Sequence, residues 1–273
     1  MSKKASDIMY RKWGSSPSRA VLLLVHGMGA STERWKFLGD FFSEQGIASY
    51  AIVLRGFGAT PGVRGHVDSF NTYYQDICAL RDVIISENPR AKVFILGESM
   101  GALIAFKITD LYPDMFDGLI CSSPAFSSRL KFSVLKYLRI AMSFFFHPDK
   151  QFRVPFNSAM CTRDTTYIKE MDSSSQEHRL ASGQLLSEIL FLQIGALLFR
   201  NRFRKDVLFL LSGSDEVVDP ACSRKIYAKL DVPSKTIREY PDMKHAISVD
   251  LGKEKVFADI WEWLRPRIGG EGA

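Results

Sequence analysis

The chain has 273 residues, of which 46% are hydrophobic and 24% charged, and its formal net charge is +6 at pH 7. This composition is ordinary for a globular protein and excludes collagenous, low-complexity and disordered classes. Its Lys and Arg residues are spread along the chain rather than clustered, so we expect a mildly basic solvated surface and no nucleic-acid partner. No stretch approaches the roughly 18 apolar residues that a transmembrane helix needs.

The cysteines and the N-terminal segment indicate the compartment. Cys78, Cys121, Cys161 and Cys222 lie far apart and include no C-x-x-C pair. Their spacing predicts buried thiols of a reducing compartment, not a disulfide framework or a zinc site. Residues 1–14 are basic but lack the apolar core and cleavage site of a signal peptide. We therefore expect a soluble cytoplasmic protein, with a position peripheral to a membrane left open.

Six short apolar runs alternate with amphipathic stretches along most of the chain. They cover residues 20–25, 50–54, 92–96, 118–122, 207–211 and 236–240. Four of them are almost continuously apolar, as strands buried on both faces are. The last run, T-I-R-E-Y, is more polar and is expected near an edge. The pattern predicts an α/β fold with a mostly parallel central sheet flanked by helices.

Helical periodicity fills most of the intervals between these runs. Apolar side chains recur at helical spacing within residues 33–45, 69–87 and 256–268, and a further helix is predicted over 100–111. Proline or glycine follows several of these segments closely, as is typical where a helix ends.

Residues 125–203 break the alternation. This segment is apolar and helical in character, holds no clear strand, and contains apparent loops at 151–155 and 172–176. Because it lies between the fourth and fifth apolar runs, we interpret it as a helical cap inserted over the sheet. The chain is then a single domain over residues 1–273, with the cap at about 125–203.

A candidate nucleophile stands where the third predicted strand meets the following helix. The strand at 92–96 continues directly into the motif G-E-S-M-G at residues 97–101. A G-x-S-x-G motif alone occurs by chance in many chains. Between a buried strand and a helix, however, it is typical of a serine held on a strained turn. Free backbone N–H groups at the start of the helix favour negative charge there. We therefore predict Ser99 as a nucleophile.

Chain order selects the acid and the base. In folds with a serine on such a turn, the acid and then the histidine follow it in the sequence. Of the five histidines, only His245 lies after every candidate acid that ends a late strand. Asp215, Glu216 and Asp219 all follow the fifth apolar run. We favour Asp215, which comes soonest after the strand. Asp219 precedes a proline and is interpreted as a helix N-cap, and Glu216 is expected to point away.

A second glycine-rich turn, H-G-M-G at residues 26–29, ends the first predicted strand. Acyl transfer needs backbone N–H donors aimed at the developing oxyanion, each typically worth about 10²–10³ in rate. Met28 is placed to supply one donor, and Met100, directly after Ser99, the other. Together with G-E-S-M-G, the motif favours an oxyanion hole over a plain turn. His26 is then expected to hold this turn by hydrogen bonds.

These motifs resemble the monoacylglycerol lipase and lysophospholipase-like branch of the α/β hydrolases. The most specific part is R-G-F-G at residues 55–58 followed by G-V-R-G-H at 62–66. The similarity covers residues 18–125 and 205–265 well and the cap weakly. It implies the α/β-hydrolase fold with a helical cap, or lid.

Carried over by position, the resemblance implies a triad and two oxyanion donors. The triad residues are Ser99, Asp215 and His245, and the donors are Met28 and Met100. The implied enzyme is a serine carboxylic ester hydrolase, monoacylglycerol lipase-like, that cleaves fatty-acyl esters through an acyl-enzyme on Ser99. It needs no metal or organic cofactor.

The cap is expected to decide which ester reaches the serine. Its apolar residues between 132 and 146 suit an acyl tunnel for a lipid-derived substrate, although we expect most of them to pack on the sheet. A basic, aromatic lid edge, formed by Lys131, Lys136, Arg139 and Phe145, is a hypothesis for transient contact with an anionic membrane surface.

Two alternatives stay open. The same triad with another pocket would hydrolyse short-chain or aryl esters or thioesters, as a carboxylesterase or thioesterase. A non-catalytic binding protein on the same fold is the second alternative, because a fold does not dictate function. The intact Ser99, Asp215 and His245 argue against it.

Overall fold

The computed structural model describes residues 8–198, 202 and 204–269. Its strands are β1 (Tyr10–Trp13), β2 (Ala20–Val25), β3 (Ala48–Ile52), β4 (Lys92–Glu98), β5 (Gly118–Ser122), β6 (Gln151–Arg153), β7 (Leu180–Ser182), β8 (Asp206–Ser212) and β9 (Lys235–Tyr240). Its helices are α1 (Lys36–Glu44), α2 (Phe70–Glu87), α3 (Met100–Leu111), α4 (Val134–Phe146), α5 (Ser158–Cys161), α6 (Thr165–Ser173), α7 (Gly183–Leu198), α8 (Pro220–Lys229) and α9 (Lys253–Leu264). A 3₁₀ turn, Thr32–Trp35, precedes α1.

The central sheet has seven strands in the order β1-β3-β2-β4-β5-β8-β9. All neighbouring pairs are parallel except β1 with β3, which is antiparallel. The six predicted apolar runs are confirmed as the parallel strands, and the most polar of them, β9, lies at an edge. Strand β1 was not predicted, because its sequence Y-R-K-W is short and largely polar, as an edge strand can be.

Helices cover both faces of this sheet. On one face, α1 and α9 bury Phe42, Ile260 and Trp263 against residues of β2, β4 and β8. On the other, α2 and α3 bury residues such as Ile77 and Leu103. Strand β4 lies at the centre of the sheet, and its residues after Lys92 are fully buried. The turn after this strand is therefore held between two packed layers.

The segment between β5 and β8, which we call the cap, contains four helices and a small antiparallel ladder within its described residues. Helices α4 to α7 confirm its helical character. The expectation that it holds no strand was wrong, because β6 pairs with β7, and the predicted loop at 151–155 contains β6. Three-residue strands carry too few side chains to show the alternation on which a sequence pattern depends.

The G-V-R-G-H motif lies against the cap. The Arg64 guanidinium donates to the carbonyl oxygens of Ser175 and Gln176, at 2.8 and 3.1 Å. The Ser182 amide donates to the Gly65 carbonyl at 2.8 Å. His66 Nδ1 and the Ser182 hydroxyl lie 2.8 Å apart. This motif therefore attaches the cap to the loop that follows β3.

Helix α4 differs most from the sequence-based expectation. Five of its apolar residues, Leu135, Leu138, Met142, Phe145 and Phe146, are 59% to 75% exposed. The expectation that most apolar residues of this stretch pack on the sheet was therefore wrong. Helix α4 packs mainly against α7, where Phe144 meets Phe191 edge to face, and not against the strands of the central sheet. Among the described residues, no helix is both long and apolar enough to span a bilayer.

All four cysteines are free thiols, but the expectation that all are buried was wrong, because Cys78 and Cys222 are only partly buried. Cys121 and Cys161 are buried, and burial raises the pKa of Cys161 to about 11. A thiol in such surroundings is neutral and unreactive at physiological pH.

We predict that Gly65→Ala loosens the cap more than Gly62→Ala does. Both glycines have positive φ, so alanine is strained at either position. At Gly65 the added methyl group would also overlap the Leu180 carbonyl oxygen, whereas nothing lies within 4 Å at Gly62. We expect Gly65→Ala to lower the free energy of unfolding by about 1–3 kcal/mol more than Gly62→Ala. Urea denaturation measures this difference, and equal losses would contradict the proposed contact.

Candidate active site

Ser99 occupies the turn between β4 and α3, which we call the elbow. Its φ of 58° and ψ of −120° lie in a region that non-glycine residues rarely adopt. Backbone hydrogen bonds hold it there: the Ser99 amide donates to the Ser122 carbonyl at 3.0 Å, and the Ala125 amide donates to the Ser99 carbonyl at 3.1 Å. A side chain at Gly101 would overlap the Val25 carbonyl, so glycine allows α3 to approach β2. The elbow is therefore a strained turn fixed from several sides.

The structure brings Ser99, His245 and Asp215 into one hydrogen-bonded chain. His245 Nε2 lies 2.9 Å from Ser99 Oγ, and His245 Nδ1 lies 2.8 Å from Asp215 Oδ2. Since a carboxylate only accepts, Nδ1–H donates to Asp215, which leaves the Nε2 lone pair for the serine hydroxyl. His245 is 4% exposed and Asp215 is 1% exposed. This geometry suits proton transfer from the serine to the imidazole.

The Asp215 carboxylate is fixed by more than the histidine. Its Oδ1 accepts from the amides of Val217 and Val218 at 2.8 and 2.9 Å. Burial raises the pKa of Asp215, but the nearby His245 and the three hydrogen bonds outweigh burial and hold that pKa below its usual range. Asp215 is therefore ionised throughout the pH range in which an imidazole titrates.

The two competing acids lie elsewhere. Asp219 accepts from the Ala221 amide at 3.1 Å and is the N-cap of α8, as expected. It also pairs with Arg129. Glu216 forms an ion pair with Lys244 on the surface. Neither acid hydrogen-bonds His245, so the acid that follows β8 and contacts the imidazole is Asp215.

The turn at residues 26–29 borders the elbow. Met28 and Met100 line the same cavity as Ser99, and within the described residues their amides donate to no other group. His26 Nδ1 lies 2.8 Å from the Gly27 carbonyl, and the Leu54 amide donates to His26 Nε2 at 3.1 Å. Burial lowers the pKa of His26 to about 4, so it is neutral and braces the turn.

A largely apolar cavity of about 340 Å³ opens beside Ser99. Its apolar walls come mainly from the cap: Leu130, Phe132, Ile140, Val154, Leu186 and Ile189. Polar groups are few and include Ser127 and Gln193. Among its lining residues in the described part of the chain there is no Asp or Glu. The site therefore offers an apolar chain a place directly next to the serine hydroxyl.

Buried charges around the elbow were not predicted. Arg34 donates from Nε and Nη2 to both oxygens of Glu177, each at 3.0 Å, and lies 3.9 Å from Glu98 in the elbow motif. Glu98 also accepts from the Ser248 hydroxyl at 2.6 Å. Arg34 is 64 residues from Glu98 and 143 residues from Glu177 in the chain, so no local sequence pattern indicates that these side chains meet. The network ties the elbow to the 3₁₀ turn, the cap and the loop of His245.

No group of three or more His, Cys, Asp or Glu side chains that would suit a metal ion occurs in the described ranges.

The profile of a family described as "Serine aminopeptidase, S33" matches residues 16–252. The chain belongs to this family of α/β hydrolases. The match covers β2 to β9, the elbow and the triad side chains, and so includes every element of the site.

Named relatives of this α/β hydrolase act on lipids. Phospholipase YtpA of Bacillus subtilis is 27% identical over 90% of this chain and 95% of its own length. Monoacylglycerol lipase of Mycolicibacterium smegmatis is 24% identical over 94% of this chain and 92% of its own length. The crystal structure of Paleococcus ferrophilus monoacylglycerol lipase superposes with a TM-score of 0.81 at 26% identity, covering 94% of this chain and 98% of that one.

The chain is thus a monoacylglycerol lipase-like serine hydrolase. A further relative, an uncharacterized abhydrolase domain-containing protein of Dictyostelium discoideum, is 25% identical over 91% of this chain, which spans only 26% of that protein.

We predict that Asp215→Asn slows the reaction of Ser99 with a fluorophosphonate far more than Asp219→Asn. Asparagine at 215 removes the charge that stabilises the protonated imidazole, and it favours the wrong tautomer, so a loss of about 10³–10⁴ is expected. Asparagine at 219 remains a good N-cap and loses only an exposed ion pair with Arg129. Labelling rates at pH 8 measure the effect of each substitution. A larger loss in Asp219→Asn than in Asp215→Asn would overturn the assignment of the acid.

Proposed function

We propose that the chain is a serine carboxylic ester hydrolase that cleaves fatty-acyl esters, monoacylglycerols above all, through an acyl-enzyme on Ser99. The hydrogen-bonded chain of Ser99, His245 and Asp215 beside an apolar cavity carries this proposal. The monoacylglycerol lipases among the relatives support the substrate class.

The proposed reaction has two steps. Ser99 Oγ attacks the ester carbonyl as His245 Nε2 takes its proton, and the tetrahedral oxyanion accepts hydrogen bonds from the Met28 and Met100 amides. His245 then gives that proton to the leaving alcohol. Water, deprotonated by the same histidine, attacks the acyl-enzyme. His245 then returns that proton to Ser99 Oγ as the fatty acid leaves. Asp215 holds the tautomer and stabilises the imidazolium in both steps.

The cavity favours an acyl chain over an amino-terminal residue. The family description names an aminopeptidase, and a free α-amino group would require a nearby carboxylate to pair with it. The lining described above has no Asp or Glu, whereas Phe132, Ile140 and Leu186 provide apolar contact. Carboxylesterase or thioesterase activity on shorter chains uses the same triad and remains the second candidate.

We expect the wild-type chain to hydrolyse long-chain monoacylglycerols faster than short p-nitrophenyl esters, and both faster than aminoacyl p-nitroanilides. Ser99→Ala should lower kcat by about 10⁴–10⁶, because no nucleophile replaces the hydroxyl. The matched control is Ser128→Ala, a cavity serine whose hydroxyl accepts from the Leu130 amide and does not contact His245. Fluorophosphonate should label the wild-type and control chains only.

The outcomes separate the candidates. Absence of turnover with every ester, together with no labelling of Ser99, would overturn the hydrolase proposal. Faster turnover of short aryl esters or thioesters than of monoacylglycerols would overturn only the lipase assignment and favour the second candidate.

The exposed face of α4 is the part of the cap that we expect to contact a lipid surface. Phe145 and Phe146 are 75% and 68% exposed, and Lys131, Lys136 and Arg139 lie nearby in the chain. Exposed aromatic residues beside basic ones favour the interface of an anionic membrane. We therefore include transient membrane contact through the cap in the proposed function.

We predict that Phe145→Ser/Phe146→Ser weakens binding to vesicles of phosphatidylcholine and phosphatidylserine about tenfold or more. Hydrolysis of a water-soluble short ester should stay unchanged, because neither residue lines the cavity. The control is Val63→Ser, which removes an exposed apolar side chain outside the cap. Co-sedimentation measures binding, and equal binding of all three chains would exclude this contact.

A further inference from the structure

The Asp250 carboxylate joins the loop that carries His245 to the cap. It is fully buried, and each oxygen lies within hydrogen-bond distance of two donor groups. Oδ1 accepts from the Arg163 amide at 2.6 Å and lies 3.1 Å from the Thr162 hydroxyl. Oδ2 accepts from the Lys244 amide at 2.7 Å and from Arg163 Nε at 3.0 Å. Lys244 directly precedes His245, so Asp250 holds the backbone next to the base.

The same loop, residues 241–250, meets the cap at two more points. The Ala246 amide donates to the Cys161 carbonyl at 2.8 Å, and the His245 amide approaches the Met160 carbonyl at 3.4 Å. On the opposite side, the Ser212 hydroxyl donates to the Met243 carbonyl at 2.6 Å. The backbone around His245 is therefore held between the end of β8 and helix α5 of the cap.

Only an ionised carboxylate satisfies all the donors around Asp250. Burial raises its pKa, but backbone donors from Arg163, Lys244 and Leu251 and the Arg163 side chain outweigh burial and hold the pKa of Asp250 below its usual value. An asparagine would turn one oxygen into a donor facing another donor. Either the Lys244 amide or the Arg163 groups would then lose an acceptor at a side chain that is itself fully buried.

We propose that Asp250 is a positioning residue for His245, acting through the Lys244 amide and anchored to the cap by Arg163 and Thr162. This inference rests on the proposed function, in which His245 is the general base. A displacement of about 1 Å in a reacting group can cost about 10²-fold in rate. Lys244 also pairs with Glu216, the neighbour of Asp215, so a shift of this loop disturbs both hydrogen bonds of the imidazole.

The first test compares Asp250→Asn with Asp242→Asn, which changes an exposed aspartate of the same loop. We expect Asp250→Asn to lower kcat for a soluble p-nitrophenyl ester about 10- to 100-fold and to slow fluorophosphonate labelling of Ser99 by a similar factor. KM should change less than about twofold, because Asp250 does not line the cavity. Asp242→Asn should match the wild type in all three measurements.

The second test repeats the substitution in a His245→Ala background. If Asp250 acts through His245, then His245→Ala and His245→Ala/Asp250→Asn should hydrolyse the ester at the same residual rate. An equal fold loss in both backgrounds would show a general structural role and overturn the proposal. A change confined to KM would overturn it as well.

A third pair of variants keeps the proposal testable if Asp250→Asn does not fold. Arg163→Met removes one of the donors that hold Asp250, and Arg179→Met removes a cap arginine of similar exposure that pairs with Asp172 instead. We expect Arg163→Met to lower kcat about 3- to 10-fold and Arg179→Met to leave it unchanged. Equal kcat in the two variants would overturn the positioning role.

The same variants distinguish a failure of the proposed function from a failure of the positioning role. Wild-type activity in Ser99→Ala and His245→Ala would overturn it and the positioning role together. Strong loss in those two variants beside full activity in Asp250→Asn would overturn the positioning role alone.

Discussion

The close approach of α3 to the end of β2 is the constraint on which the rest of the site depends. It requires glycine at position 101, where any side chain would overlap the Val25 carbonyl. It also places Ser99 in a backbone conformation that costs of order 1–3 kcal/mol. Hydrogen bonds to Ser122 and from Ala125 hold that conformation from the neighbouring strand and the start of the cap. The strain is thus balanced by the packed centre of the sheet.

Buried charge organises the surroundings of the elbow in a similar way. Arg34 lies between Glu98 and Glu177, and Asp250 accepts from donors of the cap and of the loop that carries His245. Each group is costly to bury alone, so removal of one partner would leave an uncompensated charge or an unpaired donor. These contacts join four segments that are remote in sequence. Through these contacts, the inner part of the cap, residues 157–182, also supports the proposed triad.

The outer part of the cap has a different character. Helices α4 and α7 contact each other through Phe144 and Phe191 and leave a large apolar area facing solvent. Exposed apolar area of this kind usually marks an interaction surface. The cavity beside Ser99 lies between these helices and the sheet, so the same elements border the substrate site and carry the proposed membrane contact.

The sequence by itself determined the parallel strands, the elbow with Ser99, and the order in which Asp215 and His245 follow. These features have local causes: continuous apolar runs for buried strands, and glycines where backbones approach. Predictions failed where the cause is not local. The pair β6 and β7 is too short for a pattern, and α4 is exposed because it packs mainly on α7 rather than on the sheet.

Only the tertiary structure decided which charged residues meet. Asp250 and Arg163 are 87 residues apart, and Arg34 and Glu177 are 143 apart, so neither pair leaves a periodic or adjacent signal. Asp215, Glu216 and Asp219 shared one segment, and chain order only favoured the first. The folded turn after β8 directs Asp215 to His245, Asp219 to the start of α8 and Glu216 to Lys244. The direction of the folded backbone decides which of the three acids meets the imidazole, and that direction cannot be taken from the order of the residues alone.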